Sequence, residues 1–208
     1  MNILFYDERL VAAVKPCGAL SESDDKKPNM PAMLREALGC EVYPVHRLDR
    51  STQGVMVYAK TPEAAKRLSA MFQAREVEKT YLAVVEGKPE PEEGELFDLL
   101  YFDRQKNKSF VVRRERKGVK DARLSYRLLS CSQYEGREVS LLSVRLHTGR
   151  THQIRAQFSS RGMPIAGDRR YGSRIKLDNI MLCSASLSLI HPFTGERLTF
   201  EYKPEWLF

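Results

Sequence analysis

Three short segments carry side chains whose types and spacing could do chemistry. In Val45-His46-Arg47-Leu48-Asp49-Arg50-Ser51-Thr52-Gln53-Gly54 a carboxylate sits between two arginines, in a turn-rich stretch that leads into an apolar strand. Nearby cations favour the ionised form of a carboxylate, which suits a nucleophile better than an acid. In Glu78-Lys79-Thr80-Tyr81-Leu82-Ala83-Val84-Val85, Tyr81 shares strand parity with Lys79, Ala83 and Val85, and its ring could stack on a planar base. In Leu146-His147-Thr148-Gly149-Arg150-Thr151-His152-Gln153-Ile154-Arg155, the residues Arg150, Thr151 and His152 stand near a predicted helix N-terminus, where backbone N–H groups favour phosphate. Arg155 lies one turn further on, where a guanidinium could clamp a carboxylate with two parallel hydrogen bonds. Each segment alone also fits an ordinary role: Asp49 as a turn or cap residue, Tyr81 on a sheet face, residues 150–155 as a basic helix surface.

The charge distribution narrows the partner. The chain has 208 residues, 34 Lys+Arg against 27 Asp+Glu, and a formal net charge of +7. From Arg104 to Lys120 there are eight Lys/Arg and one acid, Glu115; from Arg145 to Lys176 there are eight more and one acid, Asp168. Between Glu86 and Glu95 the sign inverts, with five Glu and one Lys. Two basic blocks on an otherwise mixed chain suggest a polyanion, although a basic face can also simply be solvated. No run approaches the ~20 apolar residues that span a bilayer, and Asp7, Glu8 and Arg9 interrupt any leader-like stretch, so a cytoplasmic protein with no membrane partner is expected.

Several chemistries lack their residues. There is no G-x-G-x-x-G, no G-x-S-x-G and no H-E-x-x-H, and Asp168-Arg169 stands where a P-loop needs Lys-Ser/Thr. His147 and His152 are five apart, wrong for two ligands on one helical face, and the four cysteines form no C-x-x-C. A two-metal nuclease needs several converging carboxylates; the basic blocks offer few, although distant acids could converge in the fold.

The elements that must position these groups are short. Strands are expected at Ile3–Phe5 and Leu10–Val14, a mobile polar loop at Ser21–Pro28, a helix at Pro31–Leu38 closed by Gly39, and a strand at Val55–Ala59. The clearest helix is Thr61–Arg75, with Thr61 as cap, Pro62 at the first position and a stripe of Ala64, Ala65, Leu68, Met71 and Phe72. Strands follow at Thr80–Val85, around Phe110–Val112, at Leu124–Leu129, at Val139–Leu146, and near Ile180–Leu189 and Arg197–Tyr202. A helix at Thr151–Arg161, capped by Thr151, would be about 16 Å long. Many short strands with few helices argue for an α+β fold, a largely antiparallel mixed sheet with flanking helices, in a single domain over residues 1–208.

Taken together, HRLDRSTQG, VEKTYLAVVEG, LHTGRTHQIR and IAGDRRYG, in that order, resemble the RluA-type pseudouridine synthases. ILFYDERLVAAVKPCG is similar to that family's opening strand pair, and KDARLSYRLL and LCSASLSLIHPFTG to its later strands, so the likeness runs from about Asn2 to Tyr202. The resemblance implies the pseudouridine synthase fold and an enzyme, without cofactor, that isomerises chosen uridines in structured RNA, tRNA or rRNA. It implies Asp49 as nucleophile, Tyr81 against the target base, and Arg155 paired with the aspartate. Arg47 would fill the gap left by the extruded base, and Leu182 would line the base pocket. Arg150 and His152 are carried as RNA-binding candidates from their position alone. The chain departs from the family pattern at Gln53, where Ser is usual, at Ala156-Gln157, in place of Val-His, and at Cys183, in place of His. The family's N-terminal S4-type RNA-binding module is expected to be absent, and the protein to act as a monomer. A fold kept only for RNA binding and a metal-dependent nuclease are the competing readings; a carboxylate amid cations would repel phosphate and does not serve binding alone.

Overall fold

The computed structural model of the chain describes residues 1–206. It divides into two compact units, Met1–Thr80 with Cys183–Phe208, and Tyr81–Leu182. Among the described residues no helix is long and apolar enough to cross a membrane.

In the first unit, β1 (Ile3–Tyr6) pairs antiparallel with β2 (Leu10–Lys15), and β2 with β4 (Gln53–Ala59). The two-residue β3 (Tyr43–Pro44) lies antiparallel on β4, and β10 (Leu182–Ile190), which begins one residue before the unit boundary, pairs antiparallel with β11 (Arg197–Glu201). Strands β4 and β10 run parallel, with Gln53 beside Cys183 and Gly54 beside Ser184. Gly54 is required there: a Cβ would lie 2.3 Å from the Ser184 carbonyl oxygen, and its φ of +122° is one that side chains resist. A sheet that is mostly antiparallel with a parallel junction matches the α+β expectation.

Helix α1 (Met30–Leu38) is capped by the Asn29 side chain and ends at Gly39 in the left-handed region. Helix α2 (Pro62–Ala74) starts as its sequence indicates, with Thr61 Oγ1 accepting from Ala64 N–H. Its stripe of Ala64 and Leu68, with Ala65, Met71 and Phe72 beside them, packs with Val55, Val57 and Ala59 of β4 and Leu187 and Leu189 of β10. These residues form the first unit's core. Truncating Leu68 to Ala would cost roughly 2–5 kcal/mol.

The second unit is a sheet in the order β5 (Glu78–Glu86), β9 (Arg137–Leu146), β8 (Val119–Tyr134), β6 (Glu93–Asp103), β7 (Lys108–Val112), with β5 beginning just before the unit boundary. The β9–β8, β8–β6 and β6–β7 ladders are antiparallel. The β8–β9 hairpin turns on Glu135 and Gly136, both at positive φ, the geometry that matches strand twist in a two-residue loop. Strand β6 has no counterpart among the expected strands. Its apolar residues Leu96, Phe97, Leu99, Leu100, Tyr101 and Phe102 run together instead of alternating, although Leu96 and Leu100 face inward and Phe97 is exposed.

One helix expectation needs correcting. Helix α3 spans only Gln153–Ser159, and Thr151 does not cap it. His152 is the cap position, with a left-handed φ of 54° and no side-chain cap bond. The Gln153 side chain instead accepts from Arg150 N–H and from the Thr148 hydroxyl, which folds residues 148–152 into a tight entry turn. Ile154, Arg155, Ala156, Gln157 and Phe158 are all buried, so α3 is a core helix of the second unit.

Candidate active site

Asp49 lies in the first unit on a β-turn, with Thr52 N–H donating to its carbonyl at 3.0 Å. It is half-buried. Both flanks of the turn are fixed by backbone hydrogen bonds. On one side the Ser21 hydroxyl accepts from Leu48 N–H at 2.9 Å and donates to Leu48 C=O at 3.0 Å. The Tyr58 phenol donates in turn to Ser21 C=O. On the other side the Arg50 carbonyl accepts from Gly18 N–H at 2.8 Å and from the Lys15 ammonium at 3.2 Å. The Cys17 thiol reaches Ser51 C=O at 3.1 Å. The loop expected to be mobile is therefore tied down at its start, because Ser21 is buried and bonded, and Leu20 bridges to Asn29.

Lys15 is a residue that sequence reasoning missed. It ends the apolar strand LVAAVK and is fully buried, its ammonium donating to the carbonyls of Pro16, Ala19 and Arg50. Burial pulls its pKa down to about 8, while the charges of Cys17 and Asp49 work the other way and favour the cation. Asp49 thus has a cation of its own unit close enough to interact with it electrostatically. The signal was present: a lysine closing a strand of five apolar residues must bury its stem and find acceptors for its head.

The arginines flanking Asp49 differ. Arg47 is exposed and meets Glu22 at 3.5 Å, an open ion pair of small energetic weight. Arg50 donates from Nε to Gly18 C=O. His46 stacks on Phe72 with ring centroids 4.4 Å apart, and its Nε2 accepts from Val57 N–H. Burial, helped by Lys79, holds its pKa down to about 3, so it is a neutral spacer that sets the entry to the turn.

The other candidates belong to the second unit. Tyr81 and Leu182 are both buried, at 7% and 3% exposure. Arg155 is buried, and Asp168 grips it through two parallel hydrogen bonds, Nε to Oδ2 at 2.6 Å and Nη2 to Oδ1 at 2.9 Å. The guanidinium also lies over the ring of Tyr171, 4.8 Å from its centroid. Asp168 was legible as the lone acid in a block of eight basic residues. Arg150 donates to both the carbonyl and the carboxylate of Asp121, and His152 is buried with Nδ1 3.0 Å from the Tyr171 phenol. The phosphate-binding expectation for residues 150–152 loses its helix terminus, since the first N–H of α3 donates to Arg150 C=O and the helix is two turns long.

The three departures also have places. Gln53 and Cys183 are register partners across β4 and β10, so two of them meet at one point. Gln157 is fully buried and donates to Asp98 at 2.7 Å. Among the described residues no group of three or more His, Cys, Asp or Glu could hold a metal ion.

Comparison with known proteins agrees with these motifs. Residues 9–160 match the family model described as RNA pseudouridylate synthase. An RNA pseudouridine synthase of Aquifex aeolicus is 36% identical, the match covering 97% of this chain and 68% of that protein. The tRNA pseudouridine synthase C of Haemophilus influenzae is 33% identical, over 96% of this chain and 91% of that protein. The solved structure of human RNA Pseudouridylate Synthase Domain Containing 1 superposes with a TM-score of 0.84 at 23% identity, covering 99% of this chain and 84% of that one, which establishes the fold. With the motifs, the fold and these relatives in agreement, the chain belongs to the RNA pseudouridylate synthase family and is an RNA pseudouridine synthase, an isomerase.

Proposed function

We propose that this enzyme isomerises specific uridines in structured RNA, with Asp49 as nucleophile and the target nucleotide extruded from its stack. The observation that carries the reading is the Asp49 turn. Its carboxylate stands on a backbone fixed by Ser21 on one side and by Gly18 and Lys15 on the other. A side chain that must meet a carbon atom of the substrate gains most from such rigidity.

The chemistry balances without a co-reactant. The N1–C1′ bond of uridine breaks as the Asp49 carboxylate engages the nucleoside. The uracil turns, C5 bonds to C1′ as the bond from the Asp49 carboxylate breaks, C5 loses its proton to solvent and N1 gains one. Nothing is oxidised or reduced, and we read the enzyme as working without a metal or organic cofactor. Both the glycosidic bond and C5 must be reachable in turn, which a stacked base does not allow, and extrusion follows. Tyr81 supplies a ring for the base and a phenol for the C5 proton, Leu182 an apolar wall, Arg47 a group to occupy the vacated stack, and Arg155 the guanidinium that pairs with Asp49. Arg150 and His152 support the RNA-binding surface from behind, given their bonds to Asp121 and Tyr171.

The tRNA activity named for the Haemophilus relative makes tRNA the first substrate to test, with rRNA second. We read the protein as a cytoplasmic monomer whose residues 1–208 form one catalytic domain. The test is to incubate it with RNA tritiated at uracil C5 in the presence of chelator. Isomerisation releases tritium to water in chelator; RNA that stays intact and fully labelled would refute the proposal.

A further inference from the structure

We propose that Tyr171 is a positioning residue that ties the basic β6–β7 hairpin to the Arg155 guanidinium, so that RNA held by the hairpin and the Arg155 side chain share one register. This rests on the proposed role of Arg155 and extends it to how substrate binding reaches that residue.

Tyr171 is 4% exposed and sits on a single 3-10 turn, Arg169–Tyr171. Its phenol accepts from the backbone N–H of Ser109 in β7 at 2.8 Å and lies 3.0 Å from His152 Nδ1. Its ring carries two cations, Arg155 of α3 and Lys108 of β7, each 4.8 Å from the centroid. One side chain therefore touches the hairpin, the entry turn of α3 and α3 itself. Asp168, three residues earlier, holds the same guanidinium through its carboxylate.

The hairpin is fastened to this segment at further points. Ser109 Oγ donates to Thr151 C=O at 2.5 Å, Lys108 Nζ donates to Arg170 C=O at 2.6 Å, and Arg170 Nη1 returns a bond to Asn107 C=O at 2.7 Å. At its tip Arg104 and Lys106 are exposed, and Arg113, Arg114, Arg116 and Lys117 follow β7 in the same exposed, cationic stretch. Such a surface suits a phosphate backbone. A displacement of the tip by bound RNA is carried to Tyr171 through Ser109 and Lys108, and Tyr171 in turn fixes where the Arg155 guanidinium stands. This role explains why a surface hairpin is bonded so closely to the segment that holds a buried arginine.

The test is a double-mutant cycle on tritium release from uracil-labelled RNA of cells lacking the enzyme. Tyr171→Phe removes the phenol and keeps the ring; Arg104→Ala with Lys106→Ala weakens the hairpin's hold on phosphate without touching Tyr171. We expect Tyr171→Phe to lower kcat about tenfold with KM within twofold. We expect the hairpin pair to raise KM and lower kcat about threefold. If the hairpin acts through Tyr171, the combined variant has the kcat of Tyr171→Phe alone. Multiplying losses, which a merely structural tyrosine would give through a smaller folded fraction, overturn the proposal, as does an unchanged kcat in Tyr171→Phe. Ser109→Ala removes only the hydroxyl's bond to Thr151 and keeps the backbone N–H that reaches the phenol, so its kcat should stay within twofold of wild type; a fall as large as that of Tyr171→Phe would route the coupling through Thr151 and overturn the proposal. Failure of the underlying reading looks different: Arg155→Lys with wild-type kcat removes the role of Arg155 whatever the cycle gives.

Discussion

The Asp49 turn and the Arg155 segment are both rigid, and they are held by different physics. Around Asp49 the restraints run to the backbone: Ser21 to Leu48, Gly18 and Lys15 to Arg50, Cys17 to Ser51. Around Arg155 the restraints are side chain to side chain: two bonds from Asp168 and a ring face from Tyr171. Backbone clamps fix where a turn runs. A bidentate carboxylate and a ring fix the orientation of the side chain itself. The contrast fits the roles proposed for the two residues, a nucleophile on a fixed turn and a guanidinium of fixed orientation.

The largest expected effect tests the side-chain clamp. Asp168→Ala leaves the buried Arg155 charge without its carboxylate, and should cost roughly 3–5 kcal/mol of unfolding free energy in a denaturant titration. A loss below about 1 kcal/mol would mean that the guanidinium is held mainly by other groups.

Lys15 sharpens the backbone side of the comparison, because two terms oppose. Its three carbonyl bonds contribute about 3 kcal/mol in all at ~1 kcal/mol each. Burial, which lowers its pKa from 10.5 to about 8, costs on the order of 3 kcal/mol while it is charged. Lys15→Met should therefore change stability little at pH 7, yet lower kcat tenfold or more by releasing the Arg50 carbonyl. The sign of the pH effect follows. Below pH 8 the lysine is protonated in both states and its cost is constant. Between pH 8 and 10.5 the unfolded chain binds more protons than the folded one, so wild-type stability gains from Lys15 as pH rises. Subtracting the Lys15→Met curve from the wild-type curve should isolate that gain; a flat difference would place the ammonium in an aqueous setting.

Ser21→Ala tests the other flank of the Asp49 turn. It removes one donor and one acceptor from Leu48, worth about 2 kcal/mol together, and should lower kcat more than it raises KM. Equal changes in both would show that the clamp serves folding only.

The legible parts of this molecule are local. Thr61, Pro62 and the stripe on α2 signal a helix within a dozen or so residues, and Asp49 between arginines signals a candidate nucleophile within four. What is hidden depends on contacts made far along the chain. Lys15 meets Arg50 across 35 positions and Arg155 meets Asp168 across 13. Helix α3 is shorter than its pattern indicates because Gln153 spends its side chain on Thr148 and Arg150, a competition that helix propensity does not register. Strand β6 escapes the alternation rule because its apolar residues cluster, and the antiparallel partners β7 and β8 give the run a strand's geometry.

Attack of Asp49 on the nucleoside is tested most directly by tritium release from C5-labelled RNA with Asp49→Asn, a near-isosteric change, alongside the variant's Kd for the same RNA. Release should vanish while Kd stays within a few fold of wild type; turnover near the wild-type rate in this variant would remove Asp49 from its role.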